Sequence, residues 1–169
     1  MKKNEEKLNV FLISDEWNDF NNQNRLIFWG VSDKGPVKII YKNRPVFFID
    51  RAIKALEIPF PNFRKEVDLK SFTLNPVDAI YFNTQNDLLR TVEYLDSNNI
   101  CTYESDINPT RRFLMERGIN APSTIEGNSF IENGVLIFQN PKISPLLYSP
   151  KLSIASLDIE TNASDNSLY

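Results

Sequence analysis

Short apolar runs separated by turn residues dominate the first fifty positions of the chain. Val10-Phe11-Leu12-Ile13 is the first, within a strand predicted over Asn9–Ser14. A polar stretch rich in Asn and Asp follows and reads as a loop, after which Arg25–Val31, with Phe28 and Trp29, forms a second strand. Asp33-Lys34-Gly35-Pro36 is turn chemistry leading into Val37–Tyr41, and Pro45–Ile49 is a further strand behind Lys42-Asn43-Arg44. Strands at this spacing, joined by short turns, predict an antiparallel meander. Asp50 is placed to cap a short helix through Leu56, ended by Pro59 and Pro61.

The period then changes. Val77–Phe82 reads as a strand, and Asn83 or Thr84 caps a helix to about Asn98. Along it Leu88, Val92 and Leu95 recur at i, i+4 and i+7 and give one apolar face. Ile100–Tyr103 returns as a strand and completes a β-α-β unit. A second helix is expected from Pro109, which suits a first-turn position, to Arg117, with Gly118 as a left-handed stop. Phe130-Ile131-Glu132 and Val135-Leu136-Ile137 flank Asn133-Gly134, a strong hairpin signal. Asn140–Pro150, with three prolines, reads as a linker. One more strand follows, Leu152–Ile159, running into a polar loop from Thr161 to Ser167. A strand needs sheet partners; this one opens a new unit whose neighbours are missing, so the chain is expected to be a piece of a longer protein.

Composition narrows the classes. Of 169 residues 41% are hydrophobic and 12% aromatic, enough to bury a core and too many for a mainly disordered chain. A net charge of −3 argues against an autonomous, strongly DNA-binding module. No run of about eighteen apolar residues offers a membrane span, and the mixed charges of Met1–Lys7, with no long apolar region behind them, do not make a secretory signal. A cytoplasmic protein is expected. The lone Cys101 cannot form an internal disulfide and is expected to be a buried, inert thiol. With no histidine and one cysteine, nucleophilic triads and zinc sites drop out. Any catalytic metal must be a hard ion held by carboxylates, such as magnesium or manganese.

The chemical constellation is Asp158-Ile159-Glu160. In a strand, side chains at i and i+2 share a face, so both carboxylates would project together from the strand's end. Like charges repel there unless divalent cations are shared, and a two-metal phosphodiesterase needs such ligands. Equally, an acidic strand end can simply face water; the apolar Ile154-Ala155-Ser156-Leu157 approach favours an interior strand and hence a site. Phe28-Trp29 and Phe47-Phe48 could stack single-stranded bases, but paired aromatics on strands more commonly send one ring into the core. Arg111, Arg112 and Arg117 could touch phosphate; with Glu104, Asp106 and Glu116 nearby, local ion pairs are the simpler use. Five scattered glycines build no phosphate loop.

Tyr103-Glu104-Ser105-Asp106, continuing through the Arg111-Arg112-Phe113-Leu114 helix to Gly118, resembles the segment that precedes the exonuclease domain in family B DNA polymerases. Some forty residues on, Ser156-Leu157-Asp158-Ile159-Glu160-Thr161 is similar to that family's first exonuclease motif, and Pro45–Ile49 to its early aromatic strand. Leu114-Met115-Glu116-Arg117 and the Asn-Gly hairpin point to the bacterial branch. The resemblance covers the whole chain and is sharp from about residue 100 to 161. It implies an α+β fold: a mixed, largely antiparallel amino-terminal domain over residues 1–148, then at 149–169 the first strand of a ribonuclease-H-like exonuclease domain. It also implies that Asp158 and Glu160 are catalytic ligands of two Mg²⁺ or Mn²⁺ ions in a 3′–5′ proofreading exonuclease of a DNA-directed DNA polymerase acting in replication or repair. The family's remaining aspartates lie downstream, so the site here is incomplete. The chain alone is expected to bind no metal and to be inactive, a scaffold and template-side contact. DNA is the expected partner through the intact enzyme and weakly or not at all through this chain, alongside the rest of the polymerase, in the bacterial cytoplasm and nucleoid. The rival reading is a freestanding α+β module that binds single-stranded nucleic acid without catalysis.

Overall fold

The computed structural model describes residues 4–53, 60–147, 150–151 and 154–158. Its architecture is sheet-rich and largely antiparallel, with two helices among the described residues. β1 (Asn4–Phe20), β2 (Gln23–Ser32) and β3 (Gly35–Asn43) form the expected meander. β8 (Pro122–Glu132) and β9 (Val135–Gln139) form the expected Asn-Gly hairpin, with Asn133 at φ 51° and Gly134 at φ 78°. β3 pairs with β9 in parallel, and the first half of β1 pairs with β8. The sheet therefore closes on itself in the order β1-β2-β3-β9-β8, and β10 (Lys142–Pro145) continues along β8 beyond β9. β1 serves both β8 and β2 by irregular pairing between Leu12 and Ser14. Gly30 makes room there: a Cβ on it would lie 2.6 Å from the Phe11 carbonyl oxygen.

The second sheet has the order β5-β6-β4-β7, from β4 (Val46–Asp50), β5 (Asn62–Lys70), β6 (Pro76–Phe82) and β7 (Thr102–Tyr103). α1 (Gln85–Ser97) connects β6 to β7, and β4 lies antiparallel between them, splitting the expected β-α-β unit. Leu88 and Leu95 of α1 are buried on Phe47, Ile49, Ile80 and Phe82, with Val92 packed alongside, as their spacing predicts. α2 (Pro109–Met115) closes the first sheet's core through Phe113 and Leu114. Asn108 caps it by accepting the Thr110 and Arg111 amides. Gly118, at φ 61°, ends it: the Ile119 amide bonds the Leu114 carbonyl and the Gly118 amide bonds Met115, the paired bonds of a Schellman stop.

Several expectations are corrected. The Asn- and Asp-rich "loop" after Ser14 is strand on both sides of a tight turn at Asn21 (φ 50°) and Asn22 (φ 57°). Two left-handed residues match the twist of a two-residue hairpin, and Asn tolerates that conformation. β4 leaves the meander for the second sheet. β5 is an addition to the expected strands: Phe63, Val67 and Leu69 do alternate with charged residues, but Lys65 breaks the pattern and Phe63 and Leu69 stay exposed on this edge strand. The segment read as a linker contains β10. The strand at Ile100–Tyr103 shrinks to two residues, and Cys101 is exposed rather than buried, because it precedes the paired part of the strand. After Asp50, residues 51–53 form a turn in which its Oδ1 accepts the Ala52 amide; most of the helix expected there lies outside the described residues. Residues 154–158, the described core of the expected Leu152–Ile159 strand, pair with nothing in a sheet, and Ile154 and Leu157 are 90% and 93% exposed. A strand forms only against partners, and none of the described strands reaches it.

The two sheets meet at a polar joint. Asp19, near the tip of the β1–β2 hairpin, accepts the Gln85 and Asn86 amides at 3.0 Å each and the Asn24 side-chain amide at 2.9 Å. Asn24, fully buried, also accepts from Asn43 at 2.8 Å and donates its backbone N–H to the Asn83 carbonyl. A carboxylate on the free amides of a helix start is doubly favourable, satisfying donors and complementing the helix dipole. Asp19→Ala is expected to lower unfolding free energy by about 2 kcal/mol. Urea denaturation checks this; an unchanged midpoint would show that the joint does not hold the sheets.

Candidate functional site

Of the predicted pair, Asp158 stands on an exposed segment outside any helix or strand and Glu160 lies outside the described residues. No group of three Asp, Glu, Cys or His side chains able to hold a metal ion occurs among the described residues. The described residues do not by themselves fit a divalent cation.

The best-built carboxylate is elsewhere. Asp78, at the centre of the second sheet, is 3% exposed. Arg51 Nε donates to its Oδ1 at 2.7 Å and Arg64 Nε to its Oδ2 at 2.8 Å. Both guanidiniums are anchored further on carbonyls, Arg51 on Val67 and Arg64 on Ile53. Burial pushes the Asp78 carboxyl up, but the hydrogen bonds and charges of the two arginines outweigh it and hold the group below the usual carboxylate range. Every oxygen faces a structural partner, so this is an internal clamp tying β5 and β6 to the turn after β4.

A second constellation lines a cavity of about 610 Å³ between β3, the end of α2 and β10. Lys7, Lys42, Arg117 and Lys142 bring positive charge to it and Glu126 brings one carboxylate, 3.9 Å from the ammonium groups of Lys7 and Lys142. Tyr41 and Phe113 form one wall, their ring centroids 4.4 Å apart, and the Arg117 guanidinium lies 3.7 Å over the Phe113 ring. The Tyr41 hydroxyl is buried without a hydrogen-bond partner. Burial pushes it well above the ordinary tyrosine range, with the charge of Arg117 opposing in part, so it stays protonated. Sequence reading considered only Arg117 of these groups; the others come from strands far apart in the chain, and no local pattern marks them.

The other candidates settle into structural roles. Phe28 and Phe47 are fully buried. Trp29 donates to Glu16 at 3.3 Å and receives Lys38 over its ring, and Arg112 lies 5.7 Å from the Phe48 ring centroid. Arg112 pairs with Glu104 at 2.8 Å and Arg117 with Glu116 at 3.4 Å, the local ion pairs expected. Arg111 instead reaches Asp15 on β1 at 3.5 Å, where Thr110 also donates its hydroxyl. No helix among the described residues is long and apolar enough to cross a membrane.

No family model matches the chain. It is 31% identical over 157 residues to DNA polymerase II of Escherichia coli K12, an alignment covering 89% of this chain and 20% of that protein. Its fold is similar to that of the family B DNA polymerase of the hyperthermophilic archaeon Pyrobaculum calidifontis, with a TM-score of 0.67. That match has 13% identity and covers 86% of this chain and 21% of the other. The chain thus spans about a fifth of the length of each relative. In sequence and in fold alike it resembles family B DNA polymerases, as its motifs indicated.

Two measurements follow from the buried groups. Tyr41→Phe removes an unsatisfied buried hydroxyl and is expected to raise stability by about 1 kcal/mol in urea denaturation; a loss of that size would mean the hydroxyl has a partner. Asp78→Asn leaves two arginines without their anion and is expected to cost about 3 kcal/mol at pH 7. Because the folded-state value of Asp78 is depressed, its contribution is complete above about pH 4 and lost as pH falls through the folded value. The variant's stability should therefore decline less than the parent's below pH 4. Parallel declines would assign the acid sensitivity to other groups.

Proposed function

We propose that the chain is the amino-terminal region of a family B DNA polymerase of the bacterial DNA polymerase II type, a DNA-directed polymerase with 3′–5′ proofreading that acts in bacterial DNA replication or repair. The observation that supports this most is the 31% identity running through 89% of the chain. The motif order adds to it: Tyr103–Gly118 precedes Asp158-Ile159-Glu160 at the family's spacing.

In this reading residues 1–148 are the amino-terminal domain and residues 149–169 open the ribonuclease-H-like exonuclease domain. Asp158 and Glu160 are the first carboxylate ligands of its magnesium or manganese ions, and other segments of the parent complete the set. The exposure of Ile154, Leu157 and Asp158 agrees with a segment that belongs to another sheet. The amino-terminal domain serves as scaffold and template-side contact, working in the cytoplasm with DNA and the remaining polymerase domains as partners. Burial of Phe28 and Phe47 removes half of the aromatic faces that a freestanding single-strand-binding module would use.

The purified chain, incubated with end-labelled single-stranded DNA and Mg²⁺ or Mn²⁺, is expected to release no nucleotides. In the parent enzyme, Asp158→Ala and Glu160→Ala are each expected to slow 3′ excision at least about 100-fold while leaving primer extension intact. Digestion by the isolated chain, or undiminished excision by the variants, would remove the exonuclease assignment.

A further inference from the structure

We infer that the cavity between β3, the end of α2 and β10 is a binding site for a phosphate-bearing anion, either a free nucleotide or a backbone phosphate of a nucleic-acid strand. The cavity is built entirely by residues 7–144 and is independent of the exonuclease assignment.

Charge is the first ground. The whole chain carries −3, yet four cationic side chains and one carboxylate line this cavity. Glu126 does not cancel them. It lies 3.9 Å from each of two ammonium groups, beyond hydrogen-bond length, and Lys7 and Lys142 keep 70% and 87% of their side-chain surface in water. Lys42 makes no ion pair with the described residues. An anion entering the cavity meets Lys42, which has no ion pair among the described residues, and Lys7 and Lys142, which share the single carboxylate of Glu126, while Arg117 is already paired with Glu116.

The second ground is that part of the lining is already fixed. Arg117 is held against the Phe113 ring and donates Nη1 to the Phe113 carbonyl at 3.0 Å, so little side-chain freedom remains to be lost on binding. Asn140, itself left-handed at φ 49°, accepts the Lys42 amide at 2.8 Å and pins the β9–β10 connection to β3. Gly127 lets Pro141 pack close: a Cβ there would sit 3.2 Å from the proline Cβ.

The third ground is the Tyr41 hydroxyl, on a residue 7% exposed and without a protein partner. Buried polar groups are nearly always paired. The hydroxyl is closed off from water as the wall stands, so it reaches an anionic oxygen only when the wall shifts to admit one; a protonated phenol is then a donor suited to it. Arginine with lysine and a neutral donor is a common chemistry for phosphate, and a volume of about 610 Å³ admits a mononucleotide or one nucleotide unit of a strand. Tyr41 and Phe113 supply an aromatic wall beside the charges.

The test is an amide-shift NMR titration of the 169-residue chain with inorganic phosphate, with thymidine monophosphate, and with a thymidine octanucleotide lacking terminal phosphates. Saturable shifts are expected at Lys42, Arg117 and Asn140–Ser144 below about 10 mM ligand, weakening as salt rises. Lys42→Glu with Lys142→Glu, both surface changes, should weaken binding at least tenfold, and Tyr41→Phe severalfold with an unchanged spectrum elsewhere. Tight mononucleotide and weak octanucleotide binding identifies a free-nucleotide site; the reverse identifies a backbone phosphate. No saturable shift with any of the three, shifts centred elsewhere, or binding indifferent to the charge reversal would overturn the proposal.

Discussion

Where the β1–β2 hairpin meets the start of α1, the buried Asn24 and the buried backbone of Gln85 share one carboxylate, that of the exposed Asp19. Asp19 takes two helix amides and the Asn24 side chain; Asn24 in turn takes Asn43 and reaches the Asn83 carbonyl. The bonds to Gln85, Asn86 and Asn83 join the closed sheet to the sheet that carries α1, and those among Asp19, Asn24 and Asn43 brace the first sheet's side of the joint. Apolar packing alone is non-directional and would let the two bodies slide. The amide network admits one register. Through it the position of α1, and hence of β4, β6 and the Asp78 clamp, is referred to the end of the first hairpin.

The parts of this fold that were legible in the sequence are those governed by local chemistry. Thr84 caps α1 by accepting the Asp87 amide, Leu88 and Leu95 fall on its buried face, Gly118 stops α2, and Asn133-Gly134 turns a hairpin. What escaped depends on distant partners. A polar run such as Asp15–Phe20 looks like a loop by composition, yet it is strand because β2 offers a complementary edge. β5 carries charge on both faces and is held by backbone pairing to β6 and by Arg64 on Asp78. The same division runs through the candidate sites. Asp158 and Glu160 stand two positions apart and announce themselves, whereas Lys7, Tyr41, Lys42, Arg117 and Lys142 are joined only once the strands are.

The chain's acidity is accordingly a poor guide to its local fields. Five of its eight arginines pair with carboxylates, Arg51 and Arg64 with Asp78, Arg112 with Glu104, Arg111 with Asp15 and Arg117 with Glu116, so that the positive charge left facing the cavity is chiefly lysine. Lysine ammonium groups on flexible stems keep their hydration until an anion arrives, whereas the clamp arginines are already committed to carboxylate geometry. Arginine mostly builds the frame, with Arg117 also lining the cavity, and lysine is left to meet ligands.

The parallel contact of β3 with β9 also sets an order on the chain's assembly. Val37 meets Leu136 only after the whole second sheet and both helices have been made. On a ribosome adding roughly 5–20 residues per second, the ~100 residues between them take on the order of 10 s. Throughout that interval the β1-β2-β3 meander waits with unpaired edges, the condition under which nascent sheets recruit other chains. The closed ring is thus a late event in the life of the polypeptide, completed only once β8 and β9 have emerged.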